Sequence, residues 1–86
     1  MNTRQYNYLL TIASCEGLSA AAKKLGVTQA ALSKFLAEQE RLLGVKLFLR
    51  HQKKMYPTPA GETMLEAARN ILAIKNSTLQ TINRLT

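Results

Sequence analysis

Cysteine, glycine and proline are all scarce in this sequence of 86 residues. The single cysteine, Cys15, has no partner for an intramolecular disulfide and offers no cysteine-based zinc site. Four glycines and two prolines are too few for a loop-rich or collagen-like chain. No apolar run approaches the ~18 residues of a membrane span, and the N-terminus lacks the basic-then-apolar order of a signal peptide. We therefore expect a soluble cytoplasmic protein.

Residue types that carry catalysis or bind metal ions do not occur in useful combinations. The one histidine, His51, has no second metal ligand near it, and there is no Ser/His/Asp arrangement, carboxylate pair or glycine-rich phosphate loop. A chain this short folds as one small domain, without room for a catalytic domain plus a regulatory one. We therefore predict a protein that is not an enzyme and uses no metal and no cofactor.

Acidic residues are outnumbered, since five Asp and Glu stand against twelve Lys and Arg, for a net charge of +7. Residues 1–58 hold nine basic and three acidic residues (net +6), whereas residues 59–86 hold three basic and two acidic residues (net +1). A small domain this basic usually binds an anionic partner, either nucleic acid or, less often, a membrane surface. We expect residues 1–58 to form the anion-binding domain and residues 59–86 to form a linker helix.

Capping residues and apolar spacing predict three short helices in residues 1–44. Small hydroxyl side chains accept hydrogen bonds from the free N–H groups at a helix start, and glycine adopts the left-handed conformation that ends a helix. The predicted caps are Thr3, Ser19 and Thr28, and the predicted ends are Gly17, Gly26 and Gly44. The second helix is thus expected over residues 20–25 and the third over residues 29–43.

A short basic hairpin is expected after the third helix. The apolar-rich run at residues 45–49 is typical of a strand or of a turn leading into one. Residues 50–54 (RHQKK) suit a polar, basic hairpin tip, and Met55-Tyr56 suit a returning strand that ends at Pro57. The hairpin would therefore carry positive charge at its tip.

The last helix is long and apolar along one side. Thr58 caps it, and Pro59 occupies its first position, where a missing N–H costs nothing. Its residues 59–85 would span roughly 40 Å at ~1.5 Å per residue. An apolar stripe recurs along it at three- and four-residue spacing: Leu65, Ala68, Leu72, Leu79 and Ile82, with Met64, Ile71 and Leu85 widening it. The front domain is too small to cover this stripe, so we predict a homodimer through this helix.

The two short helices joined at residues 26–28 predict a helix-turn-helix. The first of them braces the second, whose N-terminal turn can then enter a DNA major groove. Free N–H groups at that end suit a phosphate, and the basic hairpin that follows forms a wing that can reach the flanking backbone. The predicted fold is therefore mostly α: a winged helix-turn-helix of three helices and a small β-hairpin, followed by a long dimerisation helix.

Three stretches resemble the N-terminal domain of LysR-type transcriptional regulators: residues 18–34 (LSAAAKKLGVTQAALSK), residues 40–48 (ERLLGVKLF) with Arg50, and residues 58–62 (TPAGE). The resemblance covers the whole chain. It implies transcription regulation by a bacterial protein, with the third helix in the major groove of double-stranded DNA and the wing on the backbone or minor groove. Members of that family are longer and carry a C-terminal effector-sensing domain, so we expect this chain to bind no small-molecule effector.

Position by position, the resemblance implies DNA contacts at the start of the third helix and in the wing. In the helix these residues are Thr28, on a phosphate, and Gln29, Ala30, Ala31, Ser33 and Lys34. In the wing they are Arg50 and Lys53, and the basic charge of the hairpin predicts Lys54 as a further phosphate contact. Phosphate contacts from lysines and helix ends would position the protein, and the first turns of the third helix would read bases.

Two other classes of function remain open from the sequence. One is a dimerisation or protein-interaction module whose positive charge is incidental, and the concentration of charge in residues 1–58 argues against it. The other is a nonspecific binder of RNA or of a membrane surface. The apolar stripe of residues 64–85 has few lysines on its flanks, which disfavours the membrane version.

Overall fold

The computed structural model describes all 86 residues and contains four α-helices and one two-stranded antiparallel hairpin. In chain order the elements are α1 (Thr3–Ser14), α2 (Leu18–Leu25), α3 (Gln29–Leu43), β1 (Phe48–His51), β2 (Lys54–Pro57) and α4 (Pro59–Leu85). This order confirms the predicted winged helix-turn-helix with a long last helix. None of the helices combines the length and the hydropathy that crossing a membrane requires.

The core lies where the first three helices meet the base of the hairpin and the first turns of α4. Its most enclosed large side chains expose at most 1% of their surface: Leu9, Ile12, Leu32 and Leu47. Ala21 and Ala22 of α2 are also buried, and their small side chains let the neighbouring helices approach closely. The position of α3 relative to α2 is therefore held by apolar packing as well as by the turn between them.

The start of α1 differs from the prediction, because Asn2 rather than Thr3 caps it. The Asn2 side chain accepts a hydrogen bond from the Gln5 N–H at 2.9 Å, and the Gln5 side chain accepts one from the Asn2 N–H at 3.1 Å. This reciprocal capping box satisfies two donors at once. Asn2 and Thr3 are both good capping residues, and the position of Gln5 decides between them.

The turn between α1 and α2 also differs from the prediction. Helix α1 ends at Ser14 with Cys15 as its C-cap, so Gly17 does not terminate it. Instead Gly17 is the N-cap of α2, which begins at Leu18, and the expected cap Ser19 lies inside the first turn. The hydroxyl of Ser19 is therefore not used as a helix cap.

The remaining caps are as predicted. Thr28 Oγ1 accepts a hydrogen bond from the Ala31 N–H, and Thr58 Oγ1 accepts one from the Gly61 N–H, both at 3.0 Å. Gly26 and Gly44 end α2 and α3 in the left-handed region, with φ angles of 71° and 74°. The turn of the helix-turn-helix thus has the backbone that the sequence predicts.

The connection from α3 to the hairpin delays the start of β1 from Val45 to Phe48. The Glu40 carboxylate accepts hydrogen bonds from the N–H groups of Leu47 at 2.7 Å and Phe48 at 3.3 Å. Gly61 of α4 lies against the same connection, where a Cβ would overlap the Leu47 carbonyl oxygen. The base of the wing is thereby fastened both to the end of α3 and to the start of α4.

Helix α4 packs against α1 along its first half and extends beyond it. Leu65 and Ala68 expose 3% and 0% of their surface and fill the protomer's own core. They are not available to a second chain, which corrects their assignment to the dimer face. Lys75 Nζ donates to Thr3 Oγ1 at 3.2 Å, at the start of α1. Every residue from Ala73 to Thr86 is exposed.

Candidate nucleic-acid interface

The first turns of α3 present the residues that the sequence predicts as DNA contacts. The exposed ones are Gln29, Ala30, Ala31 and Lys34. Ser33 is half-buried. The other side of the helix is anchored by Leu32 and Leu36, which are 0% and 4% exposed. The helix therefore turns its apolar side to the core and leaves its start accessible to a large ligand.

The N-terminal end of α3 has the features of an anion site. Thr28 Oγ1 accepts a hydrogen bond from the Ala31 N–H, which leaves the hydroxyl proton free to be donated. The first intrahelical backbone bond runs from the Leu32 N–H to the Thr28 carbonyl. The N–H groups of Gln29 and Ala30 come before it and have no partner within the helix. These donors and the positive end of the helix suit a phosphate oxygen.

A groove between the wing and the helix-turn-helix brings cations to the starts of α2 and α3. Its volume is about 330 Å³, and Arg50, Lys53, Ser19 and Gln29 are among the residues that line it. Glu16 is the only acidic residue in its walls. The sequence predicts Ser19 only as a helix cap. Its place beside two cations becomes visible once the hairpin is folded against α2.

The wing turns through Gln52 and Lys53, which both have positive φ, at 50° and 69°. Two such residues form the loop of a type I′ hairpin, and residues other than glycine adopt this backbone only where their surroundings hold it. Here the Lys53 carbonyl lies against the Cα of Gly17, with no room for a Cβ. Lys54 Nζ also pairs with a Glu16 carboxylate oxygen at 3.3 Å. The wing tip is therefore tied to the turn between α1 and α2.

Three of the predicted DNA-contacting cations have no acidic partner. The ion pairs of the chain join Arg41 to Glu38, Lys46 to Glu40 and Lys54 to Glu16. Lys34, Arg50 and Lys53 take part in none of them, so their charges are free to meet an external anion. On α3, the hydrogen bond from Arg41 lowers the pKa of Glu38, and the charges of Arg41 and Lys34 act in the same direction. Glu38 thus pairs with Arg41, and the unpaired positive charge of α3 is that of Lys34 near its start.

The predicted apolar stripe of α4 is covered at its start and free at its end. Leu72 is half-buried, whereas Leu79 and Ile82 are each 49% exposed. These two side chains lie on the part of α4 that extends past α1. They are the members of the predicted dimer face that a second chain can reach fully.

A second apolar stripe lies beside the predicted one on α4, and from the sequence its members Met64 and Ile71 are expected only to widen the first stripe. This second stripe consists of Ala60, Met64, Ala67, Ile71 and Ile74, and the Ile74 side chain is 66% exposed. At its start, Leu43 and Val45 join Met64 and Ala67 around an apolar groove of about 320 Å³. Both stripes have helical spacing, so the sequence pattern does not show which of them α1 covers.

Comparison with known proteins gives one family. The model described as "Bacterial regulatory helix-turn-helix protein, lysR family" matches residues 3–62. The HTH-type transcriptional regulator BsdA of Bacillus subtilis is 44% identical over 73 residues, which are 84% of this chain and 25% of BsdA. MetR of Escherichia coli K12 is 37% identical over 75 residues, which are 87% of this chain and 24% of MetR. The chain thus spans about a quarter of the length of these relatives.

Solved structures share the whole architecture. The DNA-binding domain of CbnR, crystallised with DNA, superposes with a TM-score of 0.87 at 32% identity, covering 99% of this chain and 98% of that one. Full-length CbnR with its target DNA gives a TM-score of 0.84 at 32% identity, covering 96% of this chain and 29% of that one. The BenM DNA-binding domain with benA DNA, at 24% identity, shares the fold with a TM-score of 0.90 and full coverage of both chains.

Proposed function

The chain belongs to the lysR family of bacterial helix-turn-helix regulatory proteins, and we propose that it binds double-stranded DNA sequence-specifically as the DNA-binding part of a transcriptional regulator. The observation that carries this proposal is the accessible start of α3 beside a groove that holds the unpaired cations Arg50 and Lys53. The relatives are transcriptional regulators about four times longer than the stretch they share with this chain. We propose a regulatory role without catalysis, and no effector bound by these residues.

Base reading is assigned to the first turns of α3, residues 29–34, lying in the major groove. The Gln29 amide can donate to and accept from one adenine edge, and the Ala30 and Ala31 methyl groups suit contact with a thymine methyl. Ser33 can bond to any base, and the Lys34 ammonium suits the guanine acceptors O6 and N7. Together these side chains discriminate among base pairs through the donor and acceptor pattern that only the major groove carries.

Phosphate binding is assigned to the wing and to the helix starts. Arg50, Lys53 and the Ser19 hydroxyl line one groove, and Thr28 lies at the free N-terminal end of α3. These contacts fix the position of the protein on the duplex without reading its sequence, and they weaken as salt rises. Lys54 is kept in this set as a weaker member, because its ammonium already faces Glu16.

Dimerisation is assigned to the part of α4 that its own chain leaves uncovered. Ile74, Leu79 and Ile82 are 66%, 49% and 49% exposed, and Leu72 borders them. Full burial of one such side chain contributes about 1.5–3 kcal/mol. A two-fold contact centred on Ile74 would bury apolar side chains of both copies at once and hold two recognition helices at a fixed separation.

An antiparallel arrangement places the second stripe of α4 in each copy against the C-terminal part of α4 in the other copy. Placing Ile71 opposite Ile74 of a second copy sets the remaining pairs by symmetry: Ala67 with Thr78, Met64 with Thr81 and Ala60 with Leu85. In this register Leu85 of each copy reaches the apolar groove beside Leu43 and Val45 of the other. The Leu85 side chain, which is 81% exposed in the protomer, would thereby fill the apolar groove that the protomer itself leaves open.

Single-residue variants separate phosphate contacts from base contacts. Lys53→Ala is expected to weaken binding to all duplexes similarly and to lower the salt slope of the affinity by about 1. Lys34→Ala and Ser33→Ala are expected to weaken a preferred duplex by roughly 1–3 kcal/mol more than a scrambled one. Anisotropy titrations of both duplexes at several salt concentrations measure these effects.

Lys24→Ala is the matched control, since Lys24 lines a different cleft with Asn7 and Arg69. It removes the same charge and should leave both the salt slope and the preference nearly unchanged. The assignment is contradicted if Lys53→Ala changes the preference between the two duplexes. It is also contradicted if Lys24→Ala lowers the affinity and the salt slope as much as Lys53→Ala does. Competition by duplex RNA or anionic vesicles at concentrations similar to DNA would favour the nonspecific functions left open by the sequence.

A further inference from the structure

An aromatic contact joins the recognition helix to α1. The ring of Phe35 on α3 meets the ring of Tyr8 on α1 edge-to-face, with centroids 5.4 Å apart and planes at 88°. Both residues are half-buried and pack against the core. On the Tyr8 ring, the Arg4 guanidinium carbon lies 5.9 Å from the centroid. Phe35 directly follows Lys34, which places this contact next to the residues assigned to base reading.

Helix α3 is fastened near its C-terminal end by Glu40, and its start, where the base-facing side chains lie, needs a further point of support to fix its rotation. Its fully buried side chains are Leu32 and Leu36, four residues apart and therefore on one line along the helix. A helix held along one line can roll, and a roll moves every base-facing side chain together. Neighbouring residues point about 100° apart on a helix, so Phe35 contacts α1 in a direction that the leucine line does not cover.

We propose that Tyr8 and Phe35 are positioning residues that set the roll of α3 and thereby the sequence preference of Ser33 and Lys34. This inference rests on the DNA-binding function proposed above. An edge-to-face pair is directional, because the positive ring edge meets the negative face of its partner, and an aliphatic side chain of similar size lacks this geometry. Arg4 supports the pair, because its guanidinium lies near the Tyr8 ring and further restrains that ring.

Phe35→Leu tests this role while keeping an apolar side chain at the site. Affinity for a duplex selected from random sequences by the wild-type chain is expected to fall roughly tenfold, the scale of one lost base contact, while affinity for a scrambled duplex stays within about twofold. Tyr8→Leu should give the same pattern. The variant that combines Tyr8→Leu with Phe35→Leu should lose little more affinity than each single variant. Tyr8→Phe keeps the ring and should retain the wild-type preference. All titrations are made at a temperature where circular dichroism shows every variant folded.

A second readout needs no DNA. Residual dipolar couplings of backbone N–H groups report the orientation of α3 relative to α1, and Phe35→Leu should change them while Tyr8→Phe should not. Unchanged couplings, or equal losses for selected and scrambled duplexes, would overturn the positioning role. If the wild-type chain prefers no duplex, the proposed function fails, but the couplings still decide whether the aromatic pair sets the roll.

Discussion

Replacing Ile74 and Ile82 by glutamate is expected to give a folded monomer that binds a two-half-site duplex roughly 100-fold more weakly, because linking two binding units raises affinity by about this factor or more. Both side chains are largely exposed in the protomer, at 66% and 49%, so the change should not disturb the core. In the proposed register Ile74 meets Ile71 of the second copy and Ile82 meets its Thr63, so both positions would be buried and a carboxylate there would have no partner charge. Binding to an isolated half-site should change little.

The matched control places the same two charges on another side of α4. Ala73 and Gln80 are exposed and lie on neither apolar stripe, so Ala73→Glu with Gln80→Glu should remain dimeric and bind normally. Sedimentation equilibrium gives the oligomeric state of the wild type and of both double variants, and anisotropy gives the affinities. A wild type that is monomeric at tens of micromolar, or an Ile74 and Ile82 variant that stays dimeric, contradicts the proposed interface.

Gly17→Ala is expected to destabilise the protein by about 3 kcal/mol, because backbone strain and steric overlap act together. Gly17 has φ 97° and ψ 172°, a region essentially restricted to glycine. Its missing Cβ also makes room for the Lys53 carbonyl of the wing. Relief of the overlap requires the wing tip to move away from α2, so phosphate binding should weaken as well.

Gly26→Ala is the control for the Gly17 substitution. Gly26 is also left-handed, with φ 71°, but no atom lies within 4 Å of the position a Cβ would take. Only strain remains, and the expected cost is about 1 kcal/mol. Thermal melts at one protein concentration should show a Tm loss of roughly 5 °C for Gly26→Ala and about three times as much for Gly17→Ala. Equal losses would mean that the wing does not press on Gly17.

Much of this architecture follows from local sequence features. The turn of the helix-turn-helix is predictable because Gly26 and Thr28 need only their own neighbours to adopt their conformations. The accessible start of α3 follows in the same way from the placement of its apolar residues. Features that depend on residues further away in the sequence cannot be predicted in this way. The late start of β1 depends on Glu40, seven residues before Leu47, and no local pattern marks that bond.

The dimer face also could not be predicted from the local pattern alone. The stripe that contains Leu65 and Ala68 has the spacing of a coiled-coil seam, yet α1 of the same chain covers its first part. The neighbouring stripe with Ile74 has equally regular spacing and is left free. Periodicity shows that a helix has an apolar side, but tertiary packing decides which side its own domain uses. In the wing, only the folded tip distinguishes the free Lys53 from the paired Lys54.

Selection of duplexes from a random-sequence pool by the purified chain tests sequence-specific DNA binding most directly. The recovered duplexes should share two related half-sites in inverted orientation, with centres separated by whole helical turns of about 10 base pairs. Lys34→Ala should recover duplexes with relaxed preference at one base pair of each half-site, whereas Lys53→Ala should recover the same sequences as the wild type. A pool that remains random after repeated rounds at physiological salt would contradict the proposed function.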